Sequence, residues 1–220
     1  LLISLLIKFN PCYYISYYNN NIIYIYFMSK LKKVMNFNST PIWFMRQAGR
    51  YMYEYNAIKK KFKCFFEMCK NVEAVTDITL LPIKKFDFDA AIIFSDILII
   101  LNCLKIKVEF IKNRGPVVYN NNLKNIFSEK NYDKNIQELF PVYQSIKTVK
   151  RELRKFKKPL IGFSGAPWTV AAYLLEGTLT KDLSLARKTA YREPKLVENI
   201  ISVLTEIIQE HIINQIENGA

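Results

Sequence analysis

Histidine is nearly missing from this sequence: His211 is alone among 220 residues. A metal site built on several histidines, or a Ser-His-Asp triad, cannot be assembled from these residues alone. His211 falls among Ile207, Ile208, Ile212 and Ile213 on an expected helix, where packing accounts for it better than ligation. Cysteine is sparse too. Cys12, Cys64, Cys69 and Cys103 show no CxxC spacing and no paired framework, which fits reduced thiols in a cytoplasmic-type compartment. No apolar run near the N-terminus reaches the ~18 residues a membrane span needs, because Lys8, Asn10, Pro11 and the Asn19 to Asn21 run interrupt it. Lys8 follows the apolar start instead of preceding it, so a secretory signal is not expected either.

Acidic residues are outnumbered, 19 against 32 Lys and Arg, leaving a net charge of +13. Such a field favours an anionic partner. Nucleic acid would call for a basic face joined to a reading motif. Runs such as Lys59-Lys60-Lys61 read more simply as solvated helix faces, so no nucleic-acid or membrane partner is expected. Half the residues are hydrophobic and the mean hydropathy is +0.00, as in a soluble chain with one sizeable core. Residues 1–27 differ in character, rich in Leu, Ile, Tyr and Asn, and Met28 opens MSKLKK. The expected partition is therefore 1–27, translated upstream sequence or an organelle-targeting extension (plastid-type), and 28–220.

Apolar residues Ile58, Phe62, Phe65, Phe66 and Cys69 recur at helical spacing, predicting a helix over 54–69. Asn71 is the expected N-cap of a helix through Val75, Ile78 and Leu81 that Pro82 ends or kinks. Residues 89–94 and 160–163 read as short strands buried on both faces, and Ile106–Phe110 alternates like a strand. Lys112–Asn122, with Gly115, Pro116 and three consecutive asparagines, reads as loop. Helices are expected over 135–156, from Pro167 to a C-cap at Gly177, and from about Pro194 to Glu217. Buried strands alternating with amphipathic helices point to a parallel α/β architecture, which leaves a doubly wound sheet and a barrel both open.

The chemistry gathers at three stretches. In PIWFMRQAGRY, Pro41 to Tyr51, Arg46 and Arg50 stand four residues apart with Gln47, Ala48 and Gly49 between them. The guanidinium fork stays charged and matches carboxylates, so two forks beside an apolar run read as a clamp for an anion. In DFDAAIIFSDIL, Asp96 follows directly where a strand gives out. In LIGFSGAPWTVAAYLLEG, Ser164 does the same and Tyr173 sits on the next helix.

These three blocks, in this order, resemble the uroporphyrinogen decarboxylase family over roughly Pro41 to Ala220. The resemblance decides for a (β/α)8 TIM-type barrel, in which functional residues sit at the C-terminal ends of strands. Such a barrel takes about 250 residues, so this chain is expected to be its front part, incomplete. The resemblance implies removal of carboxyl groups from the four acetate side chains of uroporphyrinogen III, giving coproporphyrinogen III without metal or organic cofactor. It implies Asp96 as the catalytic carboxylate among the pyrrole N–H groups. Arg46, Gln47, Ala48, Gly49, Arg50 and Tyr173, with Asp96, would be the substrate-binding residues. A homodimer is implied as well. The family's further contacts, a serine or threonine and a histidine, belong to a C-terminal part that the sequence lacks, and His211 does not lie in the matching motif. After Tyr51 the usual Leu-Pro-Glu is replaced by Met52-Tyr53-Glu54, which loosens the turn behind the clamp. The alternative is a truncated, non-catalytic tetrapyrrole-binding barrel.

Overall fold

The computed structural model describes residues 14–18, 21–25, 42–111, 114–119, 123–127, 134–178 and 180–220, the first two stretches by backbone alone. Cys12, Met28 and Pro41 lie outside them, as do positions 112, 113 and 120–122 of the expected loop. The chain divides into two compact units, Leu1–Trp43 and Phe44–Ala220. In the first, β1 (Tyr14–Tyr18) and β2 (Asn21–Ile25) pair antiparallel, Tyr14 opposite Ile25.

The second unit opens with the arginine loop and then three helices. Where periodicity predicts one helix over 54–69, the structure has two, α1 (Tyr53–Lys59) and α2 (Phe65–Lys70). Three consecutive lysines end the first. Cys64 then turns extended, and its sulfur accepts the Glu67 N–H at 3.4 Å, starting the second. Asn71 closes α2 and caps α3 (Val72–Phe86), its Oδ1 accepting from the Ala74 N–H at 2.8 Å. Pro82 does not end α3: it forfeits one backbone bond but buries its ring beside Ile83. The helix runs four residues further, to Phe86, and is closed by Asp87 in the left-handed region (φ 52°).

Strand β3 (Ala91–Ile92) follows and lies parallel to β6 (Leu160–Ile161), with Ala91 opposite Leu160. The Ala91 and Ile93 N–H groups donate to Pro159 and Ile161 carbonyls, each at 3.0 Å. Between these strands a 3-10 turn (Ile99–Leu104) leads into an antiparallel hairpin, β4 (Val108–Ile111) with β5 (Gly115–Val118). The hairpin corrects the expected loop: Gly115 takes φ 85°, as a tight return requires. Its neighbour Pro116 is in the strand itself. Helices α4 (Leu123–Phe127) and α5 (Phe140–Leu153) complete the crossover. Beyond β6 come α6 (Pro167–Glu176), α7 (Ser184–Arg192) and α8 (Pro194–Glu217).

A main core joins β3, the 3-10 turn and α5 through α8, with Leu101, Leu139, Ile146, Leu174 and Ile207 fully buried. Each such side chain contributes roughly 1.5–3 kcal/mol. A smaller cluster (Met52, Tyr55, Met68, Ala74, Ile78) lies beneath the arginine loop, with Ala48 packed against it. This is an α/β fold built on the parallel pair β3 and β6. His211 is a packed core residue, 3% exposed, with its Nδ1 3.1 Å from the Tyr143 hydroxyl.

Candidate functional site

Residues 44–52 form a bent loop, so Arg46 and Arg50 are set by loop geometry and not by a helical face. The loop is fixed at nearly every turn. Phe44 packs edge-on against Phe88, ring centroids 5.2 Å apart. The Met52 N–H donates to the Gly49 carbonyl at 3.0 Å, and the Asn56 side-chain amide donates to the Arg50 and Met52 carbonyls at 2.7 and 2.9 Å. The Tyr51 hydroxyl closes on the Gln47 carbonyl. The turn in which Met52 follows Tyr51 is thus tied by these hydrogen bonds.

Gln47 is the anchor of the loop. Its side chain is 3% exposed. Nε2 donates to the Ala90 carbonyl at 2.7 Å, and Oε1 accepts from the Ile92 N–H at 3.3 Å. These groups face away from β6, so one amide satisfies the free edge of β3 as a neighbouring strand would. Sequence reasoning offered Gln47 as a substrate contact. In the structure its amide ties the arginine loop to the strand that leads to Asp96.

Both guanidinium side chains are exposed, and neither pairs with a carboxylate of the described residues. They are open to an external anion. A Cβ at Gly49 would come no closer than 3.6 Å to the Tyr51 ring. The fold itself has room for a side chain there.

Asp96 follows β3 and is mostly buried. Its Oδ1 accepts from the Leu98 N–H at 2.8 Å and its backbone carbonyl from Ile99 at 3.2 Å. The residue thus caps the 3-10 turn behind it, while its second carboxylate oxygen takes no hydrogen bond from the described residues. Burial raises the pKa of Asp96, and the Leu98 bond partly offsets that. Tyr173, half-buried on α6, has its pKa raised first by burial and then by the charge of Asp96, which sets the two side chains in one electrostatic neighbourhood. Gly165 shows how closely the two strand-end loops approach: a Cβ there would lie 3.1 Å from the Cβ of Ile97 and 2.8 Å from Val170.

Two residues that sequence reasoning did not offer for the site feel the charges of Arg50 and Asp96. Tyr55 is buried against Phe94, ring centroids 5.9 Å apart. Its pKa is raised by burial and by Cys69, with the Arg50 charge acting oppositely. Burial also pushes the Cys69 thiol well up, helped by the charge of Asp96. Cys69 sits in the helical periodicity as an ordinary core position, Tyr55 is not singled out, and nothing in the sequence marks either for the site. The candidate groups are therefore two guanidinium groups with no carboxylate partner among the described residues and a poorly solvated carboxylate with one oxygen uncommitted. Among the described residues, no group of three or more His, Cys, Asp or Glu could hold a metal ion.

Residues 28–220 match the family model described as uroporphyrinogen decarboxylase (URO-D). The chain belongs to the uroporphyrinogen decarboxylase family. Among its relatives are the uroporphyrinogen decarboxylases of Rickettsia bellii and Rickettsia felis. The first is 44% identical over 187 residues, covering 83% of this chain and 53% of the relative. The second is 43% identical over 190 residues, covering 84% and 53%. The chain thus spans about half the length of the curated relatives it matches. A methyltransferase from Methanosarcina mazei superposes with a TM-score of 0.56 over 76% of this chain and 48% of its own, at 18% identity. That likeness concerns the fold alone. Family and neighbour together give a TIM-barrel-like α/β fold.

Proposed function

We propose that this chain contributes the arginine clamp and catalytic carboxylate of a uroporphyrinogen decarboxylase, acting on a cyclic tetrapyrrole polyacid. The supporting observation is Asp96, a partly buried strand-end carboxylate with one oxygen held by the Leu98 N–H and the other uncommitted. A pyrrole can be its own electron sink. A proton adds to a ring carbon, the ring becomes cationic, and the electrons of the C–CO2 bond neutralise it as carbon dioxide leaves. The exocyclic methylene then takes a proton and the ring carbon gives one up, leaving a methyl group. One proton is consumed for each carboxylate lost.

Asp96 accepts pyrrole N–H bonds and gains most when the ring is cationic, so it stabilises the intermediate more than the ground state. Its low-dielectric setting strengthens that interaction. Arg46 and Arg50 hold acetate or propionate carboxylates, with Ala48 and Gly49 letting the backbone come close. Bonds to charged groups are worth about 1.5–3 kcal/mol each, less for side chains as exposed as these. Tyr173 donates to a further carboxylate. Gln47 serves the substrate by placing the clamp. The complete enzyme is a closed eight-stranded barrel and a cytoplasmic homodimer in this reading, with residues 1–27 outside the catalytic domain.

The test is Asp96→Asn in the full-length protein, expected to abolish turnover while substrate binding largely survives. Turnover near that of the wild type refutes the assignment. Arg46→Ala is expected to act mainly on affinity.

A further inference from the structure

We infer that Gln215, from the last turns of α8, is a positioning residue for this site, fixing the loop that brings Tyr173 to Asp96. The inference rests on the proposed role of those two residues. Gln215 is 3% exposed. Its Oε1 accepts from the Phe163 N–H at 3.1 Å and its Nε2 donates to the Phe163 carbonyl at 2.9 Å. One side-chain amide thereby holds both backbone groups of the residue before Ser164.

The chain is shaped around this contact. A Cβ on Gly162 would lie 2.4 Å from Gln215 Oε1 and 3.0 Å from the Ala220 Cβ, so only glycine admits the amide. The helix end is held in turn, the Ala220 N–H donating to the Gln215 carbonyl at 3.0 Å. Beyond Phe163 the loop packs Gly165 against Ile97, next to Asp96, and Pro167 opens the helix that carries Tyr173. Phe163 is thus the point from which the approach of Tyr173 to Asp96 is set. Gln47 holds the β3 edge in the same manner. Two glutamines, distant in sequence, fix the two backbones that flank the site.

The experiment compares Gln215→Leu and Gln215→Glu with the wild type in the full-length protein, measuring kcat, KM and melting temperature across pH. Leucine removes both bonds and is expected to lower kcat about tenfold to hundredfold per folded molecule. A protonated glutamate can accept from N–H and donate to C=O as the amide does, whereas the ionised form repels the Phe163 carbonyl. The kcat of Gln215→Glu relative to wild type is therefore expected to rise as pH falls. A ratio flat with pH, or variants that lose only melting temperature at unchanged kcat, overturns the inference. So does a glutamate variant unfolded at every pH, which would make the contact purely structural. Wild-type protein without turnover, or Asp96→Asn with it, would instead refute the underlying reading.

Discussion

Acidification from about pH 7.5 to about pH 5 is expected to cost this protein about 2 kcal/mol of stability through His211 alone. The ring is buried on α8 against Tyr143 of α5, and Tyr143 in turn feels the charges of Cys103 and Glu210, the last paired with Lys134 at 2.7 Å. Burial lowers its pKa from 6.5 to about 4. The folded protein thus refuses a proton that the unfolded chain accepts. Stability is complete above pH 6.5 and is lost as the pH falls toward 4. At 1.36 kcal/mol per unit the ceiling is about 3 kcal/mol, of which about 2 is reached near pH 5. Urea unfolding followed by the fluorescence of Trp43 and Trp168 measures it, comparing wild type with His211→Gln at both pH values. Other titrating groups cancel between the two proteins, so their stability difference is expected to shift by the same ~2 kcal/mol. Tyr143→Phe is expected to leave the histidine pKa low, since burial and not the hydrogen bond lowers it. An NMR titration of this sole histidine near ~6.5, or a stability difference constant with pH, would refute the reasoning.

The other predictions are structural. Asp96→Asn is expected to raise stability at neutral pH while removing activity. The folded-state pKa of Asp96 is raised, so the ionised group costs stability above that pKa, and the advantage of Asn fades in acid. Denaturation midpoints at neutral and acidic pH decide this. Gln47→Leu is expected to leave the Ala90 carbonyl and Ile92 N–H unpaired, costing about 1–3 kcal/mol and weakening substrate binding, measured by chemical denaturation and titration. Gly162→Ala is expected to cost about 1–3 kcal/mol by overpacking against Gln215, read as a lowered urea midpoint. Asn71→Ala removes the cap of α3, for about 1 kcal/mol, with no change in kcat per folded molecule.

Residues whose role is local were legible in the sequence. Asn71 caps α3, Pro167 opens α6, Gly177 ends it, and α8 runs Pro194–Glu217 as its punctuation indicates. Features decided by contacts between distant segments were not. Pro116 and Gly115 read as loop, yet pairing with Phe110 and Ile111 makes them strand. The two expected buried strands shrink to two residues each, while side chains from elsewhere take nearby backbone groups: Thr79 accepts the Phe94 N–H at 3.0 Å, and Gln215 holds Phe163. The clamp and Asp96 stood out by motif. The use of Gln47 did not, since a glutamine between two arginines gives no sign that its amide faces a strand edge 43 residues away.

The side chains along β3 also bear on solubility. An open strand edge offers a ladder of donors and acceptors to any passing chain, and such edges seed aggregation. Here Gln47 occupies Ala90 and Ile92, and Thr79 takes Phe94. Both side chains are almost wholly buried, 3% and 2% exposed. A foreign strand would have to evict a buried amide and a buried hydroxyl before forming its first bond. Gln47, which holds the arginine loop, thus also shields with Thr79 an apolar strand from intermolecular pairing, and weakening either is expected to expose a surface on which copies of this chain stick together.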